Sequence, residues 1–200
     1  MFKIALSGKA KTGKDTAAKL IRKVLRKKAS VRNVSMVAFA EPIKSMVMFM
    51  FPKLDKKLVF GPSELRSKII PGAFDKDGQP LTVRRALLDI GTMLGRSYKD
   101  DVWLDCFDSR FDDLQYYEGV IVTDVRFRNE FDHLKKKGFY LIRVKRNTGT
   151  TINHSSEIDQ EAIKDSEFDF VIDNNGTLKY LEVQVNSLVS GLMQIQKSDE

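Results

Sequence analysis

Two glycines and a lysine near the amino terminus have the spacing of a phosphate-binding loop. The segment Gly8-Lys-Ala-Lys-Thr-Gly13-Lys14 lies between an apolar run at 2–7 and a helical pattern that begins at Lys14. Glycine lets the backbone wrap closely around an anion, and successive N–H groups at a helix N-terminus bind phosphate oxygens. Lys14 would then reach the β- and γ-phosphates of a nucleoside triphosphate. The alternative is a glycine-containing turn that binds nothing.

The residue after Lys14 departs from the usual loop, in which Ser or Thr holds Mg²⁺. Asp15 takes that place, and Thr16 follows one position later. A carboxylate binds Mg²⁺ directly or through water, and a hydroxyl at Thr16 is also available if the helix start is shifted. The choice between these two ligands stays open.

A second signal is the run Gly119-Val-Ile-Val-Thr-Asp124, which is followed by Val-Arg126-Phe-Arg-Asn-Glu130. A continuous apolar run is typical of a buried parallel strand, and ligands bind at the carboxyl ends of such strands. We therefore expect Asp124, Arg126 and Glu130 to cluster at one edge of a sheet. The alternative is a capping aspartate with two surface charges.

The remaining patterns indicate an α/β fold, with a parallel sheet between helices in a three-layer α/β/α sandwich. Strands are predicted at 2–7, 31–40, 119–124, 138–145 and 168–173. Helices are predicted at 14–29, from Pro42 to 51, at 82–95 and 98–114, and from Thr177 onward, and the segment 125–130 is predicted to enter a helix that runs through Lys137. Region 52–80 reads as an irregular insertion on the substrate side, and Met46, Met48 and Met50 as core residues. We expect one domain over residues 1–200.

Composition narrows the class of protein. The chain has 200 residues, a formal net charge of +7 and one cysteine, Cys106. No apolar run is long enough to span a bilayer, so we expect a cytoplasmic protein without a membrane partner. The basic clusters lie at polar helix positions and read as solvated faces, so nucleic acid is an unlikely partner.

Five segments together resemble the bacteriophage-type deoxynucleoside monophosphate kinases over nearly the whole chain. They are 8–16, 39–44, 84–92 with Gly95-Arg96, 124–130 and 174–177. In that family Asp after the loop lysine is a usual form. The resemblance implies a P-loop kinase fold with a helical substrate-binding region at about 41–115 and a lid at about 145–160. It also implies transfer of the γ-phosphoryl of ATP, with Mg²⁺, to the 5′-phosphate of a deoxynucleoside monophosphate.

The resemblance also implies residue roles. Arg126 would bind the acceptor phosphate, and Glu130 and Trp103 would contact the sugar or base of the acceptor, with Trp103 able to stack on the base. The alternative for Trp103 is a buried position in a core helix. Arg143 and Lys145 join Arg146 as lid residues. The ATP-binding set is Gly8, Ala10, Thr12, Gly13, Lys14, Asp15, Thr16, Arg146, Asn175, Gly176 and Thr177. The substrate-binding set is Lys44, Arg84, Arg85, Gly91, Thr92, Arg96, Trp103, Asp124, Arg126 and Glu130. The catalytic set is Lys14, Asp15, Asp124 and Arg126, and the Mg²⁺ ligand candidates are Asp15, Thr16 and Asp124.

Two alternatives remain. The same fold could phosphorylate another metabolite of the phosphomevalonate or dephospho-coenzyme A type. A non-enzymatic protein could instead bind nucleic acid through the basic faces in a nucleotide-dependent way. Related kinases often pair, so a homodimer also stays open, and the compartment would be the host cytoplasm if a phage encodes the chain.

Overall fold

The computed structural model describes residues 1–29, 31–149 and 155–198, with the backbone alone at 155–158. The chain divides into two compact units. We call Met1–Ala38 with Arg110–Glu200 the sheet unit, and Phe39–Ser109 the helical unit. Elements are numbered in chain order through both units.

A parallel sheet of five strands forms the centre of the sheet unit, in the order β2-β5-β1-β6-β7. The strands are β1 (Phe2–Ser7), β2 (Val34–Val37), β5 (Gly119–Val125), β6 (Tyr140–Lys145) and β7 (Phe170–Asp173). Central parallel strands are covered on both faces, so they read as continuous apolar runs. Ile4, Ala5 and Leu6 of β1 are accordingly fully buried.

Helices cover both faces of this sheet, which confirms the predicted three-layer arrangement. They are α1 (Lys14–Lys28), α7 (Arg128–Lys136), α8 (Ser155–Ala162) and α9 (Leu178–Ser198). Ile21 and Leu25 of α1 pack with Val185 and Val189 of α9 in the main core. Apart from Lys14, which is buried, the cationic side chains of α1 lie away from this core, because the apolar residues of the helix recur at helical spacing on one side only.

The register of the sheet places three strand ends side by side. Ser7 at the end of β1 pairs with Val125 on β5 and with Arg143 on β6. The phosphate-loop segment, the Arg126 segment and the chain after β6 therefore leave the same edge of the sheet. This edge is the one at which ligands bind in open α/β sheets.

The helical unit contains short helices and one small hairpin. Its helices are α2 (Glu41–Met50), α3 (Lys56–Phe60), α4 (Val83–Leu88), α5 (Arg96–Tyr98) and α6 (Val102–Leu114), whose last residues belong to the sheet unit. Strands β3 (Ile69–Phe74) and β4 (Pro80–Thr82) pair antiparallel. Short 3₁₀ turns lie at Ser63–Ser67 here and at Asp165–Glu167 in the sheet unit.

Several sequence-based expectations are corrected by these elements. The hairpin and α3 lie in the region predicted to be irregular. Strand β2 is shorter than predicted, which is common for an edge strand. Met46 and Met50 are exposed, at 45% and 58%, because α2 buries only the narrow stripe of Ile43 and Val47.

The predicted helix at 82–95 also changes type along its length. It is an α-helix at Val83–Leu88 and a π-helix at Asp89–Gly95. The wider turns shift the side-chain phase, so Leu94 is half-exposed although Val83 and Ile90 are buried. Within the described ranges, every helix is too short or too polar to cross a membrane.

Glu118 fixes the loop before β2 to the start of β5, and this contact generates a pH prediction. Its carboxylate accepts the N–H groups of Asn33 at 2.9 Å and Arg32 at 2.7 Å. These backbone hydrogen bonds, from Asn33 first and Arg32 second, lower the pKa of Glu118. A lowered pKa in the folded state adds stability at neutral pH, and that stability is lost as pH falls through the folded-state value.

We therefore expect Glu118→Gln to lower the melting temperature at pH 7 relative to the parent protein. The difference should shrink and disappear as pH is lowered through and below the ordinary range of a glutamate. Calorimetric melting of both proteins from pH 7 to acid checks this. A difference that is constant with pH would show that the charge of Glu118 is not responsible.

Candidate active site

The loop between β1 and α1 is shaped by close packing at its two glycines. Gly8 has φ +158° and Gly13 has φ +92°. A Cβ on Gly8 would lie 2.3 Å from the carbonyl oxygen of Val144, and one on Gly13 would lie 2.3 Å from Nδ2 of Asn174. No larger residue fits at either place without displacing its neighbour.

Lys14 lies inside the curve of this loop. Its Nζ donates to the carbonyl oxygen of Gly8 and, at 2.7 Å, to that of Lys9. Thr12 is buried, and its hydroxyl donates to the same Lys9 carbonyl at 2.9 Å. The ammonium group is therefore held at the loop backbone, where a phosphate group would be contacted.

The first turn of α1 carries two of the three residues predicted to bind Mg²⁺. Asp15 and Thr16 are both exposed there, while Ala10 in the loop is half-buried. An acidic side chain in a first turn is also stabilised by the helix dipole. Among the described residues, no three His, Cys, Asp or Glu side chains come together as a metal site.

Asn174 is a loop contact that the sequence analysis missed. It is buried, and its Nδ2 donates to the carbonyl oxygen of Thr12 at 2.8 Å. The residues that follow Asn174 were predicted to bind ATP, and two of them have other contacts. Asn175 bonds to Asp173 and to the N–H of Asn147, and the Thr177 hydroxyl accepts the N–H of Tyr180 at 3.2 Å.

The segment after β5 is held by a buried carboxylate. Glu130 is only 3% exposed, and its Oε2 accepts the N–H groups of Arg126 at 2.8 Å and Phe127 at 3.1 Å. Asp124 and Arg126 are half-buried. The three residues lie at one edge of the sheet, as expected. The burial of Glu130 argues against its predicted contact with the sugar or base and makes it a support for the Arg126 backbone.

Two of the predicted lid cations have structural contacts. Arg143 donates to the carbonyl oxygens of Gln160 at 3.0 Å and Ile163 at 2.7 Å, and its burial lowers the pKa. Lys145 pairs with Asp165 at 2.6 Å. Arg146 is exposed. Residues 150–154 of the predicted lid lie outside the described residues.

The predicted substrate cations of the helical unit each have a contact within that unit. Arg84 donates to the carbonyl oxygen of Ser63, and Arg96 donates to that of Asp100. The Arg85 guanidinium pairs with Asp89 at 2.8 Å, which raises its pKa. Lys44 lies over the ring of Phe60. The substrate-binding roles assigned to these four residues therefore stay predictions.

Trp103 packs beside Gly91 and Gly95 of the segment Ile90-Gly-Thr-Met-Leu-Gly-Arg96, which spans part of the family resemblance and is called the Ile90–Arg96 motif below. Trp103 is 4% exposed, and its indole N–H donates to the carbonyl oxygen of Gly91 at 2.7 Å. A Cβ on Gly95 would lie 2.3 Å from the indole ring, and one on Gly91 would lie 2.9 Å from Ile43. The neighbouring Thr92 is half-buried. Packing thus explains why Trp103 is buried and why position 91 has a small residue, and it does not support stacking of Trp103 on a base.

A glycine loop with an inward lysine, set between a buried parallel strand and a helix, defines the class of P-loop phosphotransferase folds. The chain resembles the crystal structure of a gluconokinase from Sinorhizobium meliloti 1021, with a TM-score of 0.52 and 14% sequence identity. The match covers 100% of this chain and 97% of that one, and it shows the fold alone.

The family model described as deoxynucleotide monophosphate kinase matches residues 66–185. The chain therefore belongs to the deoxynucleotide monophosphate kinase family. It is also 29% identical over 209 residues to a protein of Acanthamoeba polyphaga mimivirus named "Putative deoxynucleotide monophosphate kinase", covering 98% of this chain and 100% of that protein. The predicted enzyme class, a nucleotide kinase, is confirmed, and the other acceptors and the non-enzymatic alternative gain no support.

The contact of Asn174 with the loop leads to a second prediction. We expect Asn174→Ala to weaken ATP binding by about tenfold, because an unpartnered buried carbonyl at Thr12 costs about 1–3 kcal/mol. The control is Asn175→Ala, which removes the adjacent exposed amide. Calorimetric titration with ATP measures the affinity of both variants. A larger loss of ATP affinity in Asn175→Ala than in Asn174→Ala would show that Asn175 is the residue on which binding depends.

Trp103 generates a third prediction. We expect Trp103→Phe to lower the free energy of unfolding by about 1–3 kcal/mol, because the Gly91 carbonyl loses its donor. The KM for the acceptor nucleotide should stay within twofold of the parent value. Denaturant unfolding and steady-state kinetics on the same samples test both statements. A tenfold rise in KM at unchanged stability would return Trp103 to the base-binding role.

Proposed function

We propose that this kinase transfers the γ-phosphoryl group of ATP to the 5′-phosphate of deoxynucleoside monophosphates through the edge formed by β1 and β5. The observation that carries the proposal is the pairing of Ser7 with Val125. It puts the residue before the phosphate loop beside the residue before Arg126. Donor and acceptor phosphates bound to these two segments would meet at one edge.

On the donor side, the loop N–H groups and Lys14 bind the β- and γ-phosphates. The Lys14 ammonium already lies against the carbonyl oxygens of Gly8 and Lys9, so phosphate oxygens replace those acceptors without a large movement. Fixed donors aimed at the transferring group stabilise its charge better than water does, because they need no reorganisation. Gly176 and Arg146 remain predicted nucleotide contacts.

The residues present fit a Mg²⁺ ion that arrives with ATP. Asp15 and Thr16 offer hard oxygen ligands on the exposed first turn of α1, and Asp124 offers a third at the same sheet edge. Mg²⁺ is usually held by one or two carboxylates together with substrate phosphates. When bound, the ion neutralises phosphate charge. The protein's part is to orient these oxygens and to keep the phosphates in line.

On the acceptor side, Arg126 binds the monophosphate. A guanidinium group matches the geometry of a phosphate in a bidentate way, and two anionic substrates repel each other without such a cation. Glu130 acts through Arg126, since its carboxylate fixes the two backbone N–H groups that begin this segment. A cytoplasmic location and a homodimer are further parts of this proposal.

The fourth prediction tests both sides of the site in one assay. We expect Lys14→Ala to lower kcat by about a hundredfold or more, which is typical for loss of one donor to a transition state. We expect Arg126→Glu to abolish transfer while ATP affinity stays near that of the parent protein. ADP release is measured with ATP, Mg²⁺ and each deoxy- and ribonucleoside monophosphate in turn.

The matched control is Arg128→Gln. Arg128 lies two residues beyond Arg126, and its side chain pairs with Asp132 and Glu167 instead. This variant should keep the parent acceptor KM. Near-normal turnover in Arg126→Glu would overturn the acceptor assignment. Failure of the parent protein to turn over any monophosphate would overturn the proposed reaction.

A further inference from the structure

Three consecutive side chains at the end of α8 contact three different segments around the candidate active site. Asp159 accepts the N–H of Arg128 at 2.7 Å, and Glu161 pairs with Lys9 of the phosphate loop. Gln160 lies between them, and its Nε2 donates to Ser7 Oγ and to the Val125 carbonyl, each at 3.1 Å. Successive helical residues point in different directions, which allows one turn to reach all three.

The burial of Gln160 indicates a fixed position. It is 1% exposed, and its Oε1 has no hydrogen-bond partner in the described part of the chain. The orientation of the amide follows from chemistry, because the Val125 carbonyl only accepts and must face the NH₂ group. An unsatisfied buried oxygen is unfavourable. The side chain thus makes both hydrogen bonds through its NH₂ group, while its own oxygen stays without a partner among the described residues.

The β1–β5 pairing is irregular at the place that Gln160 bridges. Ala5 pairs with Val122, but the next pair is Ser7 with Val125, so the register shifts between them. The regular register of the two strands is therefore interrupted just before their ends. The amide of Gln160 joins these ends directly, one bond to each strand.

The end of α8 is itself anchored to the sheet. Arg143 on β6 donates to the carbonyl oxygens of Gln160 and Ile163, which lie at and just beyond the last turn of this helix. Its guanidinium also lies 4.3 Å from the ring centroid of Phe168. The last turn of α8 is therefore held in place relative to β6.

We propose that Gln160 is a positioning residue for phosphoryl transfer, which sets the spacing between the phosphate loop and the Arg126 segment. Glu161 acts on the donor side through Lys9, and Asp159 acts on the acceptor side through the start of α7. This inference rests on the proposed function, because it assumes that the two segments hold donor and acceptor. Its physical reason is that small displacements of reacting groups greatly slow an in-line transfer.

The fifth prediction is that the three residues have separable kinetic effects. We expect Glu161→Gln to raise the KM for ATP about two- to fivefold and Asp159→Ala to raise the KM for the acceptor by a similar factor, as for modest exposed contacts. Gln160→Met keeps the side-chain volume but loses both donors. It should lower kcat about tenfold or more.

Ser7→Ala provides a second, smaller change at the same contact, because it removes one partner of Gln160 and keeps the Val125 bond. It should lower kcat in the same direction by a smaller factor. Glu167→Gln is the control for loss of charge. Its carboxylate accepts hydrogen bonds from the Arg128 guanidinium and the Lys164 N–H, and the kinetic constants of this variant should equal those of the parent.

Steady-state kinetics, melting temperature and calorimetric Kd values for ATP and monophosphate are measured on the full chain. Lower melting temperatures with unchanged kinetic constants in all three variants would overturn the proposal and leave a purely structural role. If the parent binds both nucleotides without transferring phosphate, the proposed function fails. The Kd values then still show whether Glu161→Gln and Asp159→Ala act on different ligands, and a lack of separation would overturn this inference as well.

Discussion

The close packing of the phosphate loop against its surroundings is the constraint on which the candidate site depends. At one end Gly8 lies against the backbone of β6, and at the other end Gly13 lies against the side chain of Asn174. Both glycines have positive φ, so the loop path is fixed by sterics as well as by hydrogen bonds. With both ends fixed, Lys14 is directed inward and the N-terminus of α1 is directed at the sheet edge.

The parallel sheet turns this local constraint into a two-sided site. Parallel neighbours end at the same edge, so the phosphate loop after β1 and the Arg126 segment after β5 leave side by side. The supporting contacts are mostly to backbone groups. Glu130 accepts two N–H groups, Asn174 donates to a carbonyl, and Gln160 bonds to the Val125 carbonyl. Such contacts fix the path of each segment through its backbone.

Local patterns in the sequence predicted the parts that local interactions determine. The glycine spacing, the apolar strands and the alternation of strand and helix sufficed for the phosphate loop and the three-layer fold. Asn174 was missed because it lies 162 residues from Thr12 along the chain. A linear pattern places Glu130 near Arg126, but it does not show that the carboxylate turns back to the backbone. The prediction that Met46 and Met50 are core residues was wrong, because an apolar run does not show how wide a face of the helix is buried.

The Ile90–Arg96 motif shows how a family-like signature can act through shape. Its two glycines lie where a Cβ would enter Ile43 or Trp103, and the Gly91 carbonyl accepts the indole N–H. The same stretch is π-helical, a geometry that is rare and often found at functional sites. Gly95 leaves room for the indole ring of Trp103, and Gly91 leaves room for the side chain of Ile43. The motif therefore shapes the interior of the helical unit, whereas the roles proposed for the phosphate loop and Arg126 concern the substrates directly.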